Sequence, residues 1–177
     1  MMSKKLCRWE LAAFLTAAVI GPLLHFTYAW SGGNAVVAAF SAVNESTWEH
    51  MKLLFVPLFL TTLVEMAALT EQYRNFLAVK FVSILLGLLL IPVLYYTYSG
   101  IWGRTSMVLD IAIYFIAAAV SCLVSCRLLE KGRFGGGALQ IGGLLGLWAA
   151  AFLFVYFTYA PPSIALFQDP VTGGYGM

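Results

Sequence analysis

Five apolar runs, each long enough to cross a lipid bilayer, leave this chain almost no choice of architecture. The first, Trp9 to Trp30, extends roughly 33 Å at ~1.5 Å per residue, which matches the hydrocarbon thickness. The others occupy about 45–70, 76–99, 106–129 and 138–160. Hydrocarbon offers no partner to a backbone N–H or C=O, so runs of this length are read as helices that close their own hydrogen bonds. The expected fold is an all-α polytopic bundle: one membrane domain over 1–177, five transmembrane helices and an external tail over 161–177. Charged residues make up 10% of the chain, against about 25% in soluble domains, which excludes a water-soluble globule.

Between the first two runs lies Ser31 to Val43, too short to cross and therefore read as a re-entrant or interfacial segment. The basic start before Trp9 and the Thr27-Tyr28-Ala29 end also fit a signal peptide loosely, but Pro22 and His25 sit oddly in a segment meant for removal. With alternating spans, eight cations (Lys4, Lys5, Arg8, Arg74, Lys80, Arg127, Lys131, Arg133) fall on one side and two (Lys52, Arg104) on the other. That bias places the amino terminus in the cytoplasm and the carboxyl terminus outside. An odd number of spans leaves no complete inverted repeat. A net charge of +2 without basic runs excludes a nucleic-acid partner, and no phosphate-binding glycine loop or nucleophile elbow is present. Cys7, Cys122 and Cys126 lack zinc or redox spacing and are expected to pack as small apolar groups.

In so apolar a chain the few ionisable groups carry the information. Asn44 to Lys52, reading Asn-Glu-Ser-Thr-Trp-Glu-His-Met-Lys, holds Glu45, Glu49, His50 and Lys52 directly before the apolar run Leu53 to Leu60. Asn44 is expected to cap the helix, with Glu45 and Glu49 at its positive end. His25, near the outer end of span one, and Asp110, near the start of span four, come to the same depth. A charge costs roughly 2.5–3.5 kcal/mol at a helix centre and less near the interface, so these groups are expected to pair or to line a wet pocket open to the outer face. At 100° per residue, Glu45, Trp48, Glu49 and Lys52 share one stripe and Ser46 and His50 lie off it. His50 and Ser46 are therefore expected to face His25, and Glu49 and Lys52 to face Asp110. The plainer alternative is a solvated helix start with an ordinary Glu49–Lys52 surface pair, and for Glu45 that alternative is preferred.

Pro22, Pro57 and Pro92 interrupt spans one to three and release the carbonyls of Ala18, Leu53 and Leu88. Glu65 and Lys80, seven or eight residues either side of the inner turn, are expected to form a salt bridge. Ala138, Gly142, Gly146 and Ala150 make a small-residue stripe on span five, with Ala117, Ser121 and Ser125 as a matching surface on span four. A homodimer through Gly142 and Gly146 is the alternative use of that stripe. The tail, whose Ile164, Leu166 and Phe167 are apolar, is expected to fold back as a lid that brings Asp169 near the pocket.

The segment Asn44 to Lys52 and the ending Leu166 to Gly176 resemble those of a family of small bacterial multi-span proteins of unknown function. The resemblance implies a bacterial inner-membrane location and carries no activity with it.

Three functional readings follow. The first is a metal-dependent membrane hydrolase with Glu49, His50 and Asp110 as the catalytic set and His25, His50 and Glu49 as ligands. The ion would be a divalent metal such as zinc, with a bound water as nucleophile. Glu45, Ser46, Lys52 and Asp169 complete the expected ligand-binding pocket. The second is a carrier coupled to protons or cations through Glu49, Lys52 and Asp110. The third is an assembly protein that recognises a lipid headgroup or a partner span, and a bis-histidine haem on His25 and His50 is a further possibility.

Overall fold

The computed structural model describes residues 3–177 and is all-helical. Five helices are long and apolar enough to cross a membrane: α1 (Lys4–Trp30), α3 (Thr47–Leu69), α4 (Phe76–Trp102), α5 (Met107–Glu130) and α6 (Gly137–Tyr159). A single helical turn, α2 (Ala35–Ala38), lies in the segment read as interfacial, and a short 3-10 turn (Ala165–Phe167) lies in the tail. The long helices run alternately up and down. At the amino-terminal end the Lys5 ammonium donates to the Ala68 carbonyl at 3.0 Å, and the Asn75 amide bridges the Leu128 and Arg133 carbonyls. At the tail end the Tyr159 hydroxyl donates to the Ala35 carbonyl at 2.6 Å and seats α2 across the helix ends.

α3 and α4 form the interior of the bundle. The buried face of α3 includes Leu54, Phe55, Leu58 and Thr62, and the rings of Phe55 and Phe59 stack in series towards Phe154 and Trp148 of α6. Apolar side chains that face outward, such as Leu11, Val19, Val93, Ile111 and Phe152, are exposed on the outside of the bundle, as a lipid solvent requires.

Glycine sets two of the close approaches. At Gly21 a Cβ would stand 1.7 Å from the Tyr114 hydroxyl oxygen and 2.9 Å from the Leu53 carbonyl, so α1, α3 and α5 converge there only because no side chain intervenes. The convergence also answers a proline. Pro57 leaves the Leu53 carbonyl without its helical N–H; the Tyr114 hydroxyl donates to the Ala17 carbonyl at 2.8 Å and lies 3.3 Å from that Leu53 oxygen. Overpacking a tight core contact of this kind costs about 1–3 kcal/mol. Gly21→Ala is expected to lose that much in detergent-micelle unfolding, while Gly100→Ala, which meets nothing within 4 Å, should be far milder.

The small-residue stripe works differently from the expectation. Gly143, rather than Gly142, is the deep position: its Cβ would stand 2.6 Å from the Leu77–Ala78 backbone, and at Gly146 it would meet the Phe81 ring, so α6 packs on α4 and not on span four of the sequence reading. Ala117, Ser121 and Ser125 of α5 instead meet α4 at Gly87 and α1 at Glu10. Gly142 faces open space.

Candidate functional site

The helix that carries the polar motif begins later than the sequence pattern indicates. Ser46, not Asn44, is the N-cap: its Oγ accepts the Glu49 N–H at 3.4 Å, and α3 starts at Thr47. Asn44 is held elsewhere, its Oδ1 accepting the Ser46 N–H at 2.9 Å and its amide donating to the Gly176 carbonyl at 2.9 Å. Glu45 therefore lies in the loop before the helix, where a helical wheel does not apply, and its direction is set by the Asn44 turn.

That displacement sorts the charged groups into two layers. In the upper layer Glu45 reaches between two histidines: its Oε1 is 3.3 Å from His25 Nε2 and its Oε2 is 3.7 Å from His50 Nε2. The imidazole centroids are 5.5 Å apart. His50 Nδ1 is 2.9 Å from the Ser46 carbonyl. A carbonyl only accepts, so Nδ1 carries a proton, and Nε2 is the nitrogen turned towards Glu45. The ligand atoms of His25, Glu45 and His50 all lie within 4.8 Å of one another. The side chains are 26%, 47% and 37% exposed in that order, open enough to exchange with solvent. The hydrogen bond from His25 holds the Glu45 carboxyl below the ordinary carboxylate range, against the opposing effect of partial burial. A carboxyl depressed in the folded state lends stability above its unfolded pKa and loses it as pH falls through the folded value, so this clasp opens on the acid side.

The lower layer is sealed. Glu49 and Lys52 are 2% and 0% exposed and form a 2.6 Å ion pair. Lys52 Nζ donates further to the Ala38 carbonyl and to Thr158 Oγ1, both at 2.8 Å, which uses all three ammonium hydrogens. Glu49 Oε2 accepts the Val43 N–H at 3.1 Å, and the Thr158 hydroxyl lies 3.5 Å from Glu49 Oε1. The pair is thus saturated by α2, the following loop and α6. Glu49, expected beside the histidines as metal ligand and catalytic carboxylate, lies in this plug, and the carboxylate beside the imidazoles is that of Glu45.

Asp110 does not meet Glu49 or Lys52 either. It accepts a short hydrogen bond from the Tyr98 hydroxyl, whose oxygen in turn accepts the Ser106 N–H at 3.1 Å, and this clamps the α4–α5 turn. Asp169 closes the tail: its carboxylate takes the Val171 N–H at 2.9 Å and the Thr172 hydroxyl at 2.7 Å. Burial alone would raise its pKa, but these bonds and one from the Glu45 N–H outweigh it and hold the carboxyl below its ordinary range. The tail folds back as expected. Gln168 pairs with Tyr175, Met177 N–H reaches the Thr158 carbonyl, and Phe167 packs on Trp48, which also stacks against Phe154. Asp169 thus supports the loop that carries Glu45 through its backbone.

Two residues were missed in the sequence. Thr158 reads as one more polar atom at the end of an apolar run, and only packing shows it as the third partner of Lys52. Glu10, the one acidic residue in the first apolar run, was a visible signal; it lies at the other end of the bundle with Glu65 and Lys80.

Over residues 1–177 the sequence matches DUF6512, a family of unknown function, and the chain belongs to that family. No curated protein and no solved structure matches it.

Proposed function

We propose that this family member is a bacterial inner-membrane protein whose tail end faces the extracytoplasmic side and holds a divalent metal, such as zinc, on His25, Glu45 and His50. The observation that carries the reading is the mutual approach of three ligand atoms within 4.8 Å from three separate segments: α1, the loop and α3. Two imidazoles and one carboxylate are a usual zinc donor set and leave a coordination position open. The Ser46 carbonyl on His50 Nδ1 is the outer partner that fixes a ligating imidazole.

The orientation rests on loop cations. With Lys52 and Lys80 buried in ion pairs, Lys4, Lys5, Arg8, Arg74, Arg127, Lys131 and Arg133 lie at the amino-terminal end against Arg104 at the tail end. When bound, the metal would supply a water acidified to a pKa of about 7 as a nucleophile. The site sits at headgroup depth beside the exposed rings of Trp30 and Phe26, so the substrate class we assign is a hydrolysable bond presented at the membrane surface. The saturated Glu49–Lys52–Thr158 plug below it keeps water and ions from passing further into the bundle.

Metal analysis of the full chain, purified from zinc-replete cells, is expected to find one equivalent per chain. His50→Ala and Glu45→Ala should each lower it by at least tenfold, since removing even an outer-shell partner weakens metal binding by about 10–100-fold. Glu49→Gln should leave the metal in place. Binding should weaken as pH falls, because the imidazoles must be deprotonated to ligate. Metal-free wild type, or metal retained in both alanine variants, would end this reading.

A further inference from the structure

At the opposite end of the bundle three charges are packed together out of water. Lys80 Nζ of α4 donates to Glu10 Oε1 of α1 at 2.7 Å and lies 2.5 Å from Glu65 Oε2 of α3. Ser125 of α5 donates to the same Glu10 oxygen at 2.6 Å. Glu10, Glu65 and Lys80 are 4%, 1% and 4% exposed. Two carboxylates against one ammonium sum to −1 when all are ionised. Such a charge is unfavourable where no solvent reaches it.

The cluster is also incomplete as a hydrogen-bonded unit. Glu10 Oε2, Glu65 Oε1 and Ser121 Oγ are buried without a partner. Glu10 and Ser121 line a cavity of about 10 Å³, with Thr62, Lys80, Ser83 and Ser125 around it, about the least space that admits one water. The groups that face one another are Glu10 from α1, Glu65 and Thr62 from α3, Lys80 and Ser83 from α4, and Ser121, Cys122 and Ser125 from α5; the α5 face adds no charge. Glu10 and Cys122 also line a groove of about 270 Å³ between α1 and α5 that reaches Cys7 and Cys126.

We propose that Glu10 and Glu65 share one exchangeable proton, with Lys80 as the fixed counter-cation, and that this cluster is a proton-binding site of the protein. The proton forms one O–H bond on a carboxylate oxygen and brings the cluster from −1 to neutral. The remaining carboxylate pairs with Lys80, and the new O–H turns one orphan carboxylate oxygen into a donor. The three helices α1, α3 and α4 each bring one charge, so a change of protonation alters what holds them together, which is the property a proton-coupled step needs. The inference is independent of the metal site.

Infrared difference spectroscopy of the full chain in lipid nanodiscs tests it. Wild type should show a carbonyl-stretch band of a protonated carboxylic acid that titrates with pH and shifts in heavy water. Glu10→Gln and Glu65→Gln should each abolish that band completely, because one carboxylate left with Lys80 is ionised. Bands from the other six of the eight aspartate and glutamate carboxyls are common to all samples and cancel in wild type minus variant spectra. Glu10→Asp, which restores the carboxylate, should keep the band and control for folding. No titrating band in wild type, or a band that survives either glutamine substitution, overturns the proposal.

Discussion

Replacing Lys80 by methionine should destabilise the bundle by about 3–5 kcal/mol, because it strands buried charge that no other cation among the described residues reaches. Glu10 Oε1 would keep only the Ser125 hydroxyl, and Glu65 would lose its one charged partner, in a place 1–4% exposed. In a membrane protein of marginal stability that loss reads out as poor accumulation, and in micelles as a much lower unfolding temperature. The rescue is the informative half. Adding Glu10→Gln and Glu65→Gln to Lys80→Met removes the stranded charges and should recover most of the stability, since a buried pair is worth little relative to neutral groups of the same shape. A Lys80→Met protein as stable as wild type would mean that the carboxylates are already neutral without their ammonium, and the ion-pair reading of this cluster would fall.

The second large effect belongs to Lys52. Lys52→Met should likewise cost about 3–5 kcal/mol, and for a further reason: the ammonium ties α3 to the Ala38 carbonyl of α2 and to Thr158 of α6. Loss of that tie should loosen the cover above it. The loop that carries Glu45 follows α2, and the tail, whose Met177 N–H rests on the Thr158 carbonyl, lies against the same helix end. Hydrogen exchange at Val43 and Met177 should therefore quicken in Lys52→Met, well beyond any change at Leu54. In Glu49→Gln, which keeps the shape and leaves Lys52 its two neutral acceptors, the loss should be smaller. A double-mutant cycle between positions 49 and 52 should give a coupling of about 0.5–3 kcal/mol; additive losses would show that the 2.6 Å contact contributes nothing.

Much of the fold was legible because hydrocarbon is an unforgiving solvent. Length and apolar composition of the five runs required spanning helices, and the structure has five helices long and apolar enough to cross a membrane. The Glu65–Lys80 contact was also legible, since residues at matched distances from a tight turn meet in antiparallel helices. Pro57 pointed to a released carbonyl, and Tyr114 stands at it. The aromatic and apolar residues of the tail implied that it would not stay in water, and Phe167 is buried against Trp48.

The site was legible as a set of residues and illegible as an arrangement. The sequence by itself determined that His25 of span one and the Asn44 to Lys52 stretch of span two would come to the same end of the bundle, because the two runs are antiparallel and each group lies near the end of its run next to the connecting segment. It could not say which carboxylate meets the histidines. Glu45 and Glu49 are four residues apart and coincide on a helical wheel, but the wheel begins only at Thr47, after the Ser46 cap. Tertiary structure made that choice through the Asn44 amide, which is held by the tail carbonyl of Gly176, 132 residues away. In the same way only packing could bring Thr158 to Lys52 and Glu10 to Lys80. Periodicity reports which side of a helix is polar, whereas partners across a bundle follow from the rotation and spacing of neighbouring helices, which no local pattern encodes.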